Sequence, residues 1–318
     1  MSSSANRPSR KRRRRLLGIG ASICVLLVTL GGLAVSTDAL GAGRLFDRAV
    51  AKIDRIIAGP VPDRATVATV LVTPRPITPS RSPERTAPPP SVSRVSAAAA
   101  TPGPTPEPTP ARVPVDLDIA TDPAGIFASE VKDTWCSPAG VQITLAFLGK
   151  ADTSVDFQRE LQSRVHEWES YSDSHNGDWG PAAMSLALEA YGAPGYEVRA
   201  YKTRPDALRD AATAIEATGS PVILLAWRGA HTWVMTGFRS DADPAVFPDA
   251  KISGAYIVDP WYPRVSSIWG PSDPPGTFQD NAEMIRNYLV WRRPEGRYPA
   301  RDGLFIALVP TIKVSAGD

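Results

Sequence analysis

The C-terminal part of this chain, residues 116–313, is predicted to be one α+β domain in which helices come first and a mainly antiparallel sheet follows. Three observations predict it. Apolar residues recur with helical spacing in the first half of the stretch and gather into short, continuous apolar runs in the second. Glycine and proline punctuate both kinds of segment where an element should start or stop. A proline-rich stretch precedes the domain and sets it apart, and about 200 residues suffice for a core of their own.

Each element has its own warrant. Residues 138–148 form a helix: Pro138 suits its first turn, Val141, Leu145 and Leu148 make a stripe, and Gly149 closes it. A helix over 155–165 follows. The run 181–191 is a helix with Met184, Leu186, Ala187 and Leu188 inward, ended by Gly192. Residues 196–201 are a strand and 205–217 a helix ended by Gly219. Strands are expected at 222–227, 232–239, 255–258 and 304–309, with a helix over 281–290 between the last two.

The N-terminal third reads differently. Residues 1–15 are a basic tail containing Arg7, Arg10, Lys11 and Arg12 to Arg15. Residues 16–35 carry no charge, and twenty helical residues at about 1.5 Å each span a hydrocarbon core of about 30 Å. A transmembrane signal anchor over 16–37 is expected, its basic flank in the cytoplasm and the rest of the chain outside. Cleavage near Thr37-Asp38-Ala39 would instead release a secreted protein. Residues 38–59 form a juxtamembrane helix with Leu45, Ala49, Ile53, Ile56 and Ile57 on one stripe. Residues 60–115 hold fifteen of the thirty-two prolines, the composition of an extended, disordered linker. Charge divides along the chain, net +11 over 1–115 and net −9 over 116–318. An acidic domain disfavours a nucleic-acid partner.

Two cysteines occur, Cys24 in the apolar segment and Cys136 in the domain, so no intrachain disulfide is expected. Cys136 lies in Asp133-Thr-Trp-Cys-Ser-Pro-Ala-Gly-Val-Gln142, a loop delivering a thiol to a helix start. A thiol attacks as its thiolate, which a helix N-terminus and a neighbouring imidazolium both favour. His231 can supply the imidazolium, because it follows a short turn between two strand runs. Asp259 closes the run Ile257-Val-Asp259, and a carboxylate at a strand end can hold a base histidine in one orientation. His166 reads as an exposed helical residue and His175 as a loop residue. Trp135, Trp179, Trp227, Trp233 and Trp261 read mainly as core, some of them lining a groove. Metal-ligand spacings, phosphate loops and a Gly-x-Ser-x-Gly elbow are all missing, so no cofactor and no metal are expected.

Three stretches together resemble the bacterial peptidase-like domains related to the double-glycine leader, or bacteriocin-processing, cysteine peptidases of the papain superfamily. They are Trp135-Cys-Ser-Pro-Ala-Gly-Val-Gln-Ile-Thr-Leu145, Gly229-Ala-His-Thr-Trp-Val-Met-Thr-Gly-Phe238 and Ile257-Val-Asp-Pro260. Gly177-Asp-Trp-Gly-Pro-Ala-Ala-Met-Ser-Leu186 adds to them, and the similarity spans roughly 125–310. The resemblance implies a papain-like fold, with the nucleophile helix packed on the sheet. It implies Cys136 as nucleophile, His231 as general base and acid, and Asp259 as the orienter of the histidine. Two positions depart. Relatives often carry Gln about six residues before the cysteine, where its amide donates to the oxyanion; here Glu130 stands there, and a carboxylate would repel that charge. Ser137 follows the cysteine where many relatives have Gly.

The expectation is therefore a membrane-tethered extracytoplasmic cysteine hydrolase, a peptidase or amidase, acting on peptide or cell-wall peptide. Two alternatives stay open: a catalytically weak module that binds peptide in the same groove, and an acyltransferase with an amine acceptor.

Overall fold

The computed structural model describes residues 59–73, 110–174, 179–293 and 295–314, with scattered positions between 29 and 57. The chain divides into two compact units, Met1–Val61 and Pro62–Asp318. In the first, Phe46, Ala49, Val50, Lys52, Ile53 and residues 55–57 are helical, and Phe46, Ile53, Ile56 and Ile57 are exposed. The basic tail 1–15 and, apart from Thr29 and Gly32, the apolar segment 16–37 lie outside the described residues. Among the described residues no helix is long and apolar enough to cross a membrane.

The second unit is a mixed α+β domain with a mainly antiparallel sheet. Its strands are β1 (Thr69–Leu71), β2 (Val115–Asp118), β3 (Tyr196–Tyr201), β4 (Val222–Ala226), β5 (His231–Ser240), β6 (Ile252–Val258), β7 (Val265–Ser266), β8 (Gly270–Pro271), β9 (Thr277–Asp280) and β10 (Phe305–Pro310). The main sheet runs β1-β3-β10-β4-β5-β6-β9, and β7 and β8 form a separate ribbon. Every pairing is antiparallel except β1 with β3. Strand β5 is the hub: β4 pairs along its first half, β2 along its second half, and β6 along the opposite edge.

Helices are α1 (Cys136–Phe147), α2 (Val155–Ser163), α3 (Pro181–Ala190), α4 (Arg204–Thr218) and α5 (Asn281–Asn287). They cover both faces of the sheet, and the period-2 alternation of the strands divides the core accordingly. Ile223, Leu225, Val234, Ile306 and Leu308 pack with Val141, Leu145, Leu161, Met184 and Leu188 of α1, α2 and α3. Val222, Leu224, Met235, Ala307 and Val309 pack on the other face with Leu208 and Ile215 of α4 and Met284 of α5. Strands buried on both faces read as continuous apolar runs, and each such side chain contributes about 1.5–3 kcal/mol. Helix starts follow their caps: the Ser154 side chain accepts from the Phe157 N–H, Thr203 from Asp206, and Asp280 from Ala282 and Glu283.

Several features differ from the sequence expectations: β6 begins at Ile252 rather than 255, and α2 ends at Ser163 rather than 165. Helix α5 ends at Asn287 rather than 290, and the strand expected at 222–227 stops at Ala226. The short strands β2, β7, β8 and β9 were not anticipated, since runs of two to four residues carry too little alternation to register. Finally, the proline-rich stretch is not a spacer along its whole length. Residues 62–72 lie against the domain: the Pro62 carbonyl accepts from the Tyr171 N–H at 2.8 Å, and Ser170 Oγ accepts from the Arg64 N–H at 2.9 Å. The Thr-Val-Leu run of β1 then covers the edge of β3. Residues 74–109 lie outside the described residues.

Candidate active site

Cys136 is the first residue of α1 and is partly buried. The first N–H groups of a helix have no partner within it, and the helix dipole places partial positive charge there. What brings this end to the sheet is Gly140. A Cβ on Gly140 would lie 2.3 Å from Thr232 Cγ2, so only glycine lets α1 approach β5 this closely. The sulfur consequently reaches the β4–β5 turn, where Cys136 Sγ lies 3.7 Å from the Ala230 carbonyl oxygen.

His231 is the first residue of β5 and pairs in register with Ala226. It is 2% exposed. Its Nε2–H donates to Asp259 Oδ1 at 2.7 Å, which leaves Nδ1 as the nitrogen available to Cys136. The same Asp259 oxygen accepts from the Trp261 N–H at 2.8 Å, and the Asp259 carbonyl accepts from Tyr262 N–H at 3.1 Å. The carboxylate at the end of β6 is therefore held from its own chain as well as by the imidazole. Burial by itself lowers the His231 pKa; the Asp259 charge and hydrogen bond, with a smaller contribution from Cys136, outweigh it and lift the value to about 10. The ring is thus an imidazolium at neutral pH, ion-paired and desolvated.

The turn before His231 is strained. Trp227 (φ 50°) and Arg228 (φ 62°) are left-handed, and Gly229 follows at φ 84°. Each non-glycine there costs about 1–2 kcal/mol. A Cβ on Gly229 would meet the Trp291 ring at 2.3 Å, while Arg292 N–H donates to the Arg228 carbonyl at 3.0 Å. These contacts lock a backbone that lays the Trp227 ring on His231, with centroids 4.0 Å apart and planes 20° from parallel. Trp227 Nε1–H donates to Asn287 Oδ1 at 3.0 Å, and Trp269 and Trp261 pack on Trp227 in turn. The wall fixes the ring and keeps water from it.

Glu130 is also at this site. Its side chain is fully buried, and its nearest cation, Arg264 Nη1, is 3.6 Å from Oε1. Burial is the dominant influence on the carboxyl and raises its pKa to about 8; His231 and Arg264 oppose that rise, while Asp259 and Asp133 add to it. Glu130 therefore holds its proton well above the ordinary carboxylate range.

Sequence reasoning placed Cys136, His231 and Asp259 on the right element types, and the tertiary structure brings them to one end of the sheet. Of the other histidines, His166 is exposed and contacts Glu169, and His175 lies outside the described residues. Of the five tryptophans considered, Trp227 and Trp261 surround the imidazole. Arg264 and Trp269 were missed, because no local pattern marks a residue that acts across a loop. Among the described residues no cluster of His, Cys, Asp and Glu could hold a metal ion.

The fold is a mixed α+β domain with a mainly antiparallel sheet, and the family model it matches makes it a cysteine peptidase-like domain. The chain belongs to the peptidase C39-like family, whose model matches residues 121–289. That match covers α1, β5, β6 and α5 and leaves β1, β2 and β10 outside it. No curated protein matches the chain. Among solved structures, it is similar to a double glycine motif protease from an AMS/PCAT transporter in complex with the leader peptide. The two are 18% identical, the comparison covers 58% of this chain and 91% of that one, and the TM-score is 0.30.

Proposed function

We propose that this protein is a cysteine hydrolase that cleaves peptide or cell-wall peptide bonds with Cys136 as nucleophile, His231 as base and acid, and Asp259 as the orienting carboxylate. The observation that carries the reading is the 2.7 Å bond from His231 Nε2 to Asp259, which leaves Nδ1 for the thiol at the α1 N-terminus.

The chemistry follows from that arrangement. The thiolate adds to the acyl carbon, a C–S bond forms, and the carbonyl π pair moves onto oxygen. The His231 imidazolium gives its Nδ1 proton to the leaving amine as the C–N bond breaks. A water then attacks the thioester, its proton passing to His231. The C–S bond breaks, and the thiolate–imidazolium pair is restored. The stacked tryptophans exclude water from the ring, which strengthens the ion pair. The uncharged segment 16–35 behind a basic tail supports tethering at the outer face of a membrane.

The test uses the full chain carrying Cys24→Ser, so that Cys136 is the sole thiol. Its alkylation by iodoacetamide is timed at pH 6, with and without His231→Ala. The variant is expected to react at least about tenfold more slowly, because the imidazolium favours the thiolate. Equal rates would remove the activated thiol and with it the hydrolase reading. An active thiol then justifies a peptide-library digestion, with and without an added amine to separate hydrolysis from acyl transfer.

A further inference from the structure

Away from the catalytic end, three segments frame a cleft of about 380 Å³. Residues 63–69 of the docked segment form one side, the loop 171–173 another and the loop 297–301 the third. The first and third lie outside the residues that match the family model. Strand β1 stands four strand spacings from β5, so the cleft side of the sheet lies roughly 19 Å across from the strand that carries His231.

The frame is held firmly. Ser170 Oγ, on a residue 0% exposed, accepts from the Arg64 N–H at 2.9 Å and donates to the Arg64 carbonyl at 2.9 Å. Arg64 Nη1 donates to the Glu167 carbonyl at 2.6 Å. Arg301 and Asp173, both in the lining, are joined: Nη1 donates to the carboxylate at 2.7 Å and Nη2 to the carbonyl at 2.9 Å. Asp173 also accepts from the Ala183 N–H at 3.0 Å. Each side chain of that pair is 4% exposed, so its charges are spent on structure.

Two other charges in the lining are not spent. The Arg297 guanidinium lies 4.3 Å from the centre of the Tyr171 ring, and it has no hydrogen bond or ion pair among the described residues. Asp63 has neither as well, so the two do not pair with each other. One unpaired cation and one unpaired anion select a ligand with one charge of each sign. A phosphate dianion would meet one guanidinium and be opposed by Asp63. A neutral ligand would cover both charges and leave them without partners. Among the described residues β1 also ends the sheet, so its outer edge offers backbone N–H and C=O groups to an extended chain.

We propose that this cleft is a second binding site, which takes a free short peptide as its zwitterion: the C-terminal carboxylate on Arg297, the N-terminal ammonium on Asp63 and the backbone along residues 66–69. The site stands independently of the hydrolase reading. Its volume falls in the range of roughly 300–1,000 Å³ usual for small-ligand sites. The Tyr171 ring under the guanidinium orients a planar fork that matches a carboxylate with two parallel bonds.

The test is isothermal titration calorimetry with trialanine, on the full chain carrying Cys24→Ser and Cys136→Ala so that no acyl-enzyme forms. The methyl side chains carry no charge, so only the peptide's ends are read. Saturable binding is expected. N-acetyl-trialanine, which lacks the ammonium, and trialanine amide, which lacks the carboxylate, should each bind about tenfold more weakly, the loss of one charge-assisted bond. Asp63→Asn should abolish the disadvantage of the acetylated peptide alone, and Arg297→Ala that of the amide alone. Both side chains are exposed, so the variants should keep the parent's urea-unfolding midpoint. Blocked peptides that bind the parent as tightly as trialanine overturn the proposal, as does the absence of saturable binding. End preferences unchanged in both variants place the peptide elsewhere and overturn it too. Tighter binding of inorganic phosphate or of N-acetylglucosamine than of trialanine would make the cleft an anion or a sugar site instead. None of these outcomes bears on the hydrolase reading, because the chain tested lacks Cys136.

Discussion

Replacing Glu130 by glutamine should stabilise the fold, and the gain should grow with pH in a calculable way. The carboxyl is neutral in the folded protein up to about pH 8, whereas its ordinary value is 4.5. Below pH 4.5 both states carry the proton and the group contributes nothing. Between 4.5 and about 8 the unfolded chain ionises and the folded one does not, so stability falls as pH rises; above about 8 the penalty is constant. At about 1.36 kcal/mol per pKa unit, the penalty is roughly 3 kcal/mol at pH 7 and approaches 4–5 kcal/mol at pH 9. A glutamine side chain does not titrate, so the E130Q variant escapes this penalty. Urea unfolding of the wild-type chain and E130Q at pH 4.5, 7 and 9 measures it as a difference, in which other titrating groups largely cancel. A midpoint difference that is the same at all three pH values would show that Glu130 ionises as it does in water, and the argument from burial would be wrong.

Asp259→Ala should cost about 3–5 kcal/mol at pH 6, because it leaves a buried imidazolium unpaired. The raised His231 value makes that stabilisation complete below about 6.5 and lost as pH rises through about 10, so the urea-midpoint difference should shrink by pH 10. Gly140→Val places a side chain 2.3 Å from Thr232 Cγ2; overpacking should cost about 1–3 kcal/mol and push α1 from β5. Iodoacetamide labelling of Cys136 at pH 6 should slow with it, and wild-type labelling would show that this close approach does not set the thiol–imidazole pair. Deleting residues 1–72 removes β1 and bares the edge of β3. Light scattering should then rise with concentration relative to a chain beginning at residue 62, and identical scattering would mean that β1 does not protect the edge.

Much of this domain was legible along the chain. Helices α1, α3 and α4 announce themselves through Pro138, Pro181 and Pro205 near their starts, through apolar spacing, and through glycines just past their ends. Strand β3 spans the residues expected of it, and β4, β5 and β10 differ from expectation by a residue at their ends. These elements obey local rules of backbone dihedrals and periodicity, which neighbouring residues alone satisfy. The β1 strand was hidden because proline-rich surroundings dominate the composition there, and its pairing with β3 depends on residues more than a hundred positions away.

The candidate site shows the same division. The sequence by itself determined which residue types stand at which element ends: a thiol at a helix start, an imidazole at a strand start, a carboxylate at a strand end. It did not determine the state of Glu130, since a pKa depends on what desolvates and faces a group in space. Only the tertiary structure decided that. Gln158 and Arg264 arrive from distant segments to hold the backbone around Glu130, whose buried carboxyl has no hydrogen-bond partner among the described residues, and Trp227, itself stacked on Trp269, lies on the imidazole. Burial and charge–charge energies are properties of distance through the folded molecule, and separation along the chain does not encode them.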